Sequence, residues 1–114
     1  MNKSYRVKVT GHARISILEI AEYIFFELKA PNAANNFVKL IEKSIESLNV
    51  LPERFILVQE EPWNSLGIHR MIIKQYSIYF WINDNSNVVY VTDVVLSKRE
   101  QIQILKKMLI SSIL

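Results

Sequence analysis

The chain has 114 residues, half of them apolar, with a formal net charge of +3, no cysteine and only two glycines. These numbers fit one globular domain over residues 1–114, and they exclude a fold held by disulfide bonds and a glycine-rich phosphate loop. The first residues lack the apolar run of a signal peptide, and no stretch of the sequence is long enough to span a bilayer. We therefore expect a cytoplasmic protein without membrane contact.

The first half of the sequence predicts a strand followed by two helices. Residues 5–9 alternate between apolar and basic side chains, as strands do, and Thr10 is a suitable N-cap for a helix. Apolar residues then recur every three or four positions up to Pro31, which predicts an amphipathic helix that ends there. The residues that form this pattern are Ile15, Leu18, Ala21, Ile24, Phe25 and Leu28. A second amphipathic helix begins at Pro31 and stops before Pro52, so the two helices form a hairpin.

The second half of the sequence predicts four strands and a terminal helix. A short strand over residues 54–58 is followed by a polar loop and then by three strands within residues 67–96. Ser97 and Glu100 have the spacing of a capping box, which predicts the start of a C-terminal helix. The predicted order is β-α-α-β-β-β-β-α. It corresponds to an α+β fold in which a small antiparallel β-sheet is packed on one face by the N-terminal helical hairpin.

The stretch GIHRMIIKQYSIYF, residues 67–80, places two cations within an apolar strand. Because strand side chains alternate, Arg70 and Lys74 share one face of this strand. A two-residue turn at residues 75–76 pairs Arg70 with Trp81 on that face.

The next turn extends the same two faces to a further strand. Its four residues allow Trp81 to pair with Tyr90 and Tyr79 to pair with Thr92. The opposite face is apolar and suited to pack under the helices, but alternation also puts Asp93 there, where a carboxylate does not fit. The first face collects Arg70, Lys74, Tyr79, Trp81, Tyr90 and Thr92.

The basic and aromatic face has two functional interpretations. Aromatic rings beside cations can stack on the bases of single-stranded nucleic acid, or they can pair across strands on a face that a protein partner covers. The surplus of positive charge in the second half of the chain indicates either an acidic partner or charge that serves solubility. The two histidines are far apart, with no metal-ligand spacing around them, so we expect no metal and no cofactor.

Taken together, these elements and motifs resemble the RelE/ParE toxins of bacterial type II toxin–antitoxin modules. The segments YRVKVTGHARISILEIAEYI and APNAANNFVKLIEKSIESLNVLPERF are similar to the family's first strand and two helices. The segments GIHRMIIKQYSIYFWI and VVYVTDVVLSKRE are similar to its central strands and the basic turn behind them. The resemblance implies a growth-inhibiting toxin that a cognate antitoxin neutralises in a hetero-oligomer.

Members of this family act in two different ways. RelE-type toxins cut messenger RNA on the ribosome without a metal ion, whereas ParE-type toxins bind DNA gyrase and need no catalytic group. The resemblance matches Arg99, in SKRE, to the arginine that contacts the phosphate in RelE-type toxins. Arg70 and Lys74 are further cations that could stabilise the charge on a phosphate during cleavage.

Two residues that RelE-type ribonucleases carry are missing from this sequence. The position after Tyr76 holds Ser77 instead of arginine, and the stretch around Leu105 is aliphatic where the family has a late catalytic tyrosine. The sequence therefore favours binding of gyrase or a divergent activity, with a metal-independent endoribonuclease, acting on the ribosome or free of it, as the alternative. The residues we expect to contact substrate or partner are Tyr79, Trp81, Tyr90 and Lys98.

Overall fold

A computed structural model describes residues 3–97 and shows an α+β fold with two helices and one four-stranded sheet. The predicted fold class and helical hairpin are confirmed, whereas the predicted C-terminal helix lies outside the described residues. The elements are β1 (Arg6–Val9), α1 (Gly11–Glu22), α2 (Pro31–Glu46), β2 (Ile68–Ile73), β3 (Tyr76–Asn83) and β4 (Val88–Leu96).

Both helices begin where local chemistry favours a helix start. The Thr10 hydroxyl accepts a hydrogen bond from the amide of Ala13 at 3.2 Å, which satisfies one of the free donors of the first turn of α1. Pro31 occupies the first turn of α2, where its missing amide hydrogen costs nothing. Between the helices, a π-helical turn at Tyr23–Glu27 continues α1, and Lys29 adopts a left-handed backbone with φ of 51°. This single residue lets the chain reverse into the hairpin.

The strands are arranged in the order β1-β4-β3-β2. β3 pairs antiparallel with both of its neighbours, whereas β1 runs parallel to β4, with Val7 opposite Val89. The sheet is therefore mixed. The sequence had suggested an antiparallel sheet, and this prediction is wrong for β1. Alternation identifies a strand but carries no information about its direction, so the pattern of β1 did not determine its orientation.

The strand predicted over residues 54–58 is reduced to one isolated bridge. Only Leu57 pairs with β2, opposite His69. The chain enters this segment from a 3₁₀ turn at Pro52–Arg54 and leaves it for a loop at residues 59–67, so too few residues remain extended to form a strand. The segment covers part of the outer edge of β2.

The core lies between the helical hairpin and one face of the sheet. His69 also lies on this face: its ring stacks on Phe80 with centroids 5.3 Å apart, and its Nδ1 is 2.7 Å from the carbonyl oxygen of Phe55. His69 is thus part of the packing. The most deeply buried core side chains are Ala13, Ile41, Leu48, Met71, Ile78, Phe80, Val89, Val91 and Val94.

The apolar pattern that predicted α1 does not coincide with the buried side of that helix. Ile15, Leu18, Phe25 and Leu28 are between 44% and 57% exposed, so the prediction that they face the core is wrong. The helix has apolar residues around most of its circumference, and spacing alone could not select the buried side. That side is formed by Ala13, Ile17, Ile20, Ala21 and Ile24.

A buried tyrosine ties the N-terminal segment to the turn between β3 and β4. The Tyr5 hydroxyl donates a hydrogen bond of 2.7 Å to Asp84, and Lys3 lies 3.6 Å from the same carboxylate. The hydrogen bond to Asp84, with burial and the negative charge of Asp84, raises the pKa of Tyr5 from 10.0 to about 12.

We expect this contact to appear in an alkaline titration of the folded protein. The pKa of Tyr5 is higher in the folded than in the unfolded chain, so its contribution to stability is complete below pH 10 and is lost as the pH rises toward about 12. Ultraviolet absorbance should therefore include the ionisation of Tyr5 near pH 12, a transition that Tyr5→Phe should remove. Tyr23→Phe is the control and should keep it; loss of the transition in the control instead would contradict the assignment.

Candidate functional site

The face of the sheet opposite the helices, here called the open face, carries most of the residues singled out in the sequence. Arg70 lies opposite Tyr79, and Trp81 lies between Ile68 and Tyr90 in the ladder. The rings of Trp81 and Tyr90 stack with centroids 5.7 Å apart and an interplanar angle of 21°. The guanidinium of Arg70 and the rings of Trp81 and Tyr90 thus lie on one surface of the sheet.

The register between β2 and β3 differs from the predicted one by two residues. The turn is formed by Lys74 and Gln75, because Lys74 adopts a left-handed backbone with φ of 53°. Arg70 therefore pairs with Tyr79, and the predicted pairing with Trp81 is wrong. Since a shift of two residues preserves the alternation, the side chains of β2 and β3 keep their predicted faces. Lys74 leaves the strand but still lines a depression of about 360 Å³ together with Arg70.

A β-bulge in β4 changes the predicted pairing at the other strand boundary. Tyr79 lies opposite Asp93 and not Thr92, because the register shifts between Tyr79 and Phe80. Thr92 is the extra residue, and its hydroxyl donates to the carbonyl of Tyr79 at 3.2 Å. The bulge resets the alternation and moves Asp93 from the apolar face to the open face. It therefore avoids the burial of an unpaired carboxylate, which accounts for the misfit in the sequence pattern.

Asp93 connects β4 to the first turns of α1. The hydroxyl of Ser16 donates to one carboxylate oxygen at 2.7 Å, and the amide of Val94 donates to the same oxygen at 2.8 Å. The other oxygen lies 3.3 Å from Nε2 of His12. An exposed imidazole is thereby held at the edge of the open face by a fixed carboxylate.

A cavity of about 790 Å³ lies between the open face, the loop at residues 59–67 and the start of α1. Its volume falls in the range of small-molecule sites. An imidazole and two carboxylates can transfer protons, and a guanidinium can stabilise charge on a phosphate. Its chemically relevant residues are His12, Glu60, Trp63, Arg70, Tyr79 and Asp93.

Sequence reasoning missed Glu60, Trp63 and Asp93 as members of this site and assigned no role to His12. The one available signal was the carboxylate of Asp93 among apolar strand residues. Loop residues such as Glu60 follow no periodicity, so nothing in the pattern placed them above the sheet.

The open face and its adjoining loop also expose large apolar side chains. Ile72 is 63% exposed, Leu66 60%, Trp63 50% and Trp81 38%. Gly67, with φ of 77°, brings the loop against the Trp81 ring, because a Cβ there would lie 3.4 Å from that ring. Trp81 is therefore held between the loop and Tyr90, and the surface around it is apolar enough to require a partner.

The residues predicted to be catalytic or to contact a partner lie in three places. Arg70, Tyr79, Trp81 and Tyr90 share the open face, and Lys74 lies in the turn at its end. Arg99 and Lys98 lie outside the described residues. Within residues 3–97, no group of three His, Cys, Asp or Glu side chains could hold a metal ion, and no helix is long and apolar enough to cross a membrane.

Comparison with known proteins identifies both a sequence family and structural relatives. Residues 7–101 match the family described as ParE toxin of type II toxin-antitoxin system, parDE. None of the curated proteins compared with the sequence matches it. The fold is similar to that of a chain in the chromosomal ParDE toxin–antitoxin system from P. aeruginosa, with a TM-score of 0.68 at 15% identity, covering 84% of this chain and 99% of that one. It is also similar to a chain of the toxin–antitoxin complex RelBE2 from Mycobacterium tuberculosis, with a TM-score of 0.58 at 19% identity, covering 82% and 91%.

Proposed function

The chain belongs to the ParE toxin family of type II toxin–antitoxin systems, and from this premise we propose that it stops bacterial growth by binding DNA gyrase through its open face. A cognate antitoxin neutralises it, and the target places its action in the cytoplasm. The proposal requires a surface suited to a large protein partner and no catalytic group.

The composition of the open face is the observation that carries this proposal. Its exposed apolar side chains are large, and it also carries cations: Arg70 on β2, and Lys8 on β1 opposite Tyr90. Tryptophan, tyrosine and arginine are the side chains that most often dominate the energy of protein interfaces. Trp81, Tyr90 and Arg70 combine all three types on one surface whose central ring is already fixed in position.

Two assays on the purified full chain separate the candidate targets. Increasing toxin should inhibit supercoiling of relaxed plasmid by gyrase, while messenger RNA in a ribosome-based translation reaction stays intact. Addition of the cognate antitoxin should restore supercoiling. Cleaved messenger RNA together with unaffected supercoiling would refute gyrase as the target.

A metal-independent endoribonuclease is a second candidate, because the cavity contains the groups that this chemistry needs. Glu60 can accept the proton of a ribose 2′-hydroxyl while the 2′-oxygen of the ribose attacks the phosphorus. His12, oriented by Asp93, can donate a proton to the departing 5′-oxygen, and Arg70 can stabilise the phosphate charge. If the translation reaction shows cleavage, His12→Ala and Glu60→Gln should each reduce it by about 10²-fold or more.

A further inference from the structure

The exposed side of α1 carries an apolar stripe that the proposed function does not use. Here called the α1 stripe, it lies along the helix and the π-helical turn, with Ile15 three residues before Leu18 and Phe25 three residues before Leu28. Its side chains are between 44% and 66% exposed. They are Ile15, Leu18, Phe25, Phe26 and Leu28.

The charge along this stripe is negative between its ends, which Arg14 and Lys29 adjoin. Between residues 15 and 28 the sequence contains Glu19, Glu22 and Glu27 and no lysine or arginine. An apolar stripe of this size, flanked by carboxylates, suits an amphipathic segment with cationic flanks.

The chain itself contains such a segment after β4. Residues 98–114 carry Lys98, Arg99, Lys106 and Lys107 against Glu100, which gives this stretch a net charge of +3. Its apolar residues recur at helical spacing and include Ile102, Leu105, Met108 and Leu109.

The segment begins next to the end of the α1 stripe. The amide of Ser97 donates a hydrogen bond of 2.6 Å to the carbonyl of Gln75. Gln75 and Leu28 line the same depression, of about 310 Å³, so β4 delivers the chain beside the last residue of the stripe. The stripe spans roughly 20 Å from Ile15 to Leu28, and a helix of seventeen residues is roughly 26 Å long.

We propose that residues 98–114 dock along the α1 stripe, antiparallel to α1, with their cations against Glu19, Glu22 and Glu27. Ser97 also borders the depression at the end of the open face. Lys74 lines both depressions, but the one on the open face adds Arg70 and contains no carboxylate, whereas three glutamates accompany the stripe, so charge favours the stripe for a cationic segment. This docking covers the exposed apolar side of α1 and leaves the open face free for a target. It goes beyond the proposed function and does not depend on it.

Disulfide trapping tests the docking directly, because the natural chain contains no cysteine. Leu18→Cys is combined in turn with Leu105→Cys and with Leu109→Cys, two positions four residues apart in the sequence. Ile72→Cys, combined with the same two partners, is the matched control on the open face. The full-length variants are oxidised, checked for folding by circular dichroism, and separated without reductant. We expect one of the Leu18→Cys pairs to form a bond within the monomer in most of the protein and the Ile72→Cys pairs to form none.

A charge exchange provides the second measurement. Glu22→Lys in the trapped variant should reduce the yield of the internal disulfide several-fold, and the further change Lys106→Glu or Lys107→Glu should restore it. If an internal disulfide forms with Ile72→Cys and not with Leu18→Cys, the segment lies on the open face. If the products are all disulfide-linked dimers, a second copy of the chain binds the stripe. Either result, or the absence of any internal disulfide in folded protein, would overturn the proposal.

Discussion

Replacing Trp81 by alanine should weaken gyrase inhibition at least about 30-fold, which corresponds to roughly 2 kcal/mol of binding free energy. The ring is 38% exposed, stacked on Tyr90 and fixed by the approach of Gly67. A partner can therefore contact the whole exposed surface of the ring, and little conformational entropy of the Trp81 side chain is lost on binding. The measurement is the toxin concentration that halves gyrase supercoiling, together with growth after induced expression.

The control for this experiment is Lys39→Ala on the exposed side of α2. It removes a large side chain from the far side of the helical hairpin and should leave inhibition unchanged within about twofold. Thermal unfolding must show that Trp81→Ala is folded. If the folded Trp81→Ala variant inhibits gyrase as strongly as the natural chain, the open face is not the gyrase-binding surface.

The largest loss of stability is expected from Phe80→Ala. Phe80 is fully buried at the centre of β3, where it stacks on His69 and meets Phe55 edge to face with centroids 6.1 Å apart. Removal of a buried aromatic ring typically costs about 3–5 kcal/mol, since apolar contacts are lost and a cavity remains. Urea unfolding monitored by circular dichroism should show this decrease, and toxicity should fall with the folded fraction.

Ile56→Ala is the control, because it also removes a large apolar side chain, but one that is 67% exposed and lies outside the α1 stripe. It should change the free energy of unfolding by less than about 1 kcal/mol. Equal losses in the two variants would show that the core is not organised around Phe80.

The sequence predicted the faces of the sheet better than its pairing. Alternation placed Arg70 and Trp81 on one surface and Met71 and Phe80 on the other, and this is what the structure shows. The pairing itself depended on the turn, and Lys74 adopts a left-handed backbone that is unusual for lysine. The predicted register between β2 and β3 was wrong by two residues. Because strand side chains alternate with a period of two, this shift left each of them on the predicted face.

Two other features were beyond the reach of periodicity. The bulge at Thr92 inserts a residue that no average pattern anticipates, although the misplaced carboxylate of Asp93 was a sign of it. The buried side of α1 could not be chosen because the helix is apolar on two sides. The second apolar side is the α1 stripe, along which the docking of residues 98–114 is proposed.

The parallel pairing of β1 with β4 has a consequence for biosynthesis. β1 is among the first segments to leave the ribosome, yet its partner in the ladder ends at Leu96. β1 therefore has no strand partner until nearly the entire described chain has been translated. The pairing then closes a loop of most of the chain, and closure of so long a loop slows assembly of the sheet. The sheet of the toxin fold can therefore be completed only when synthesis of the described residues is almost finished.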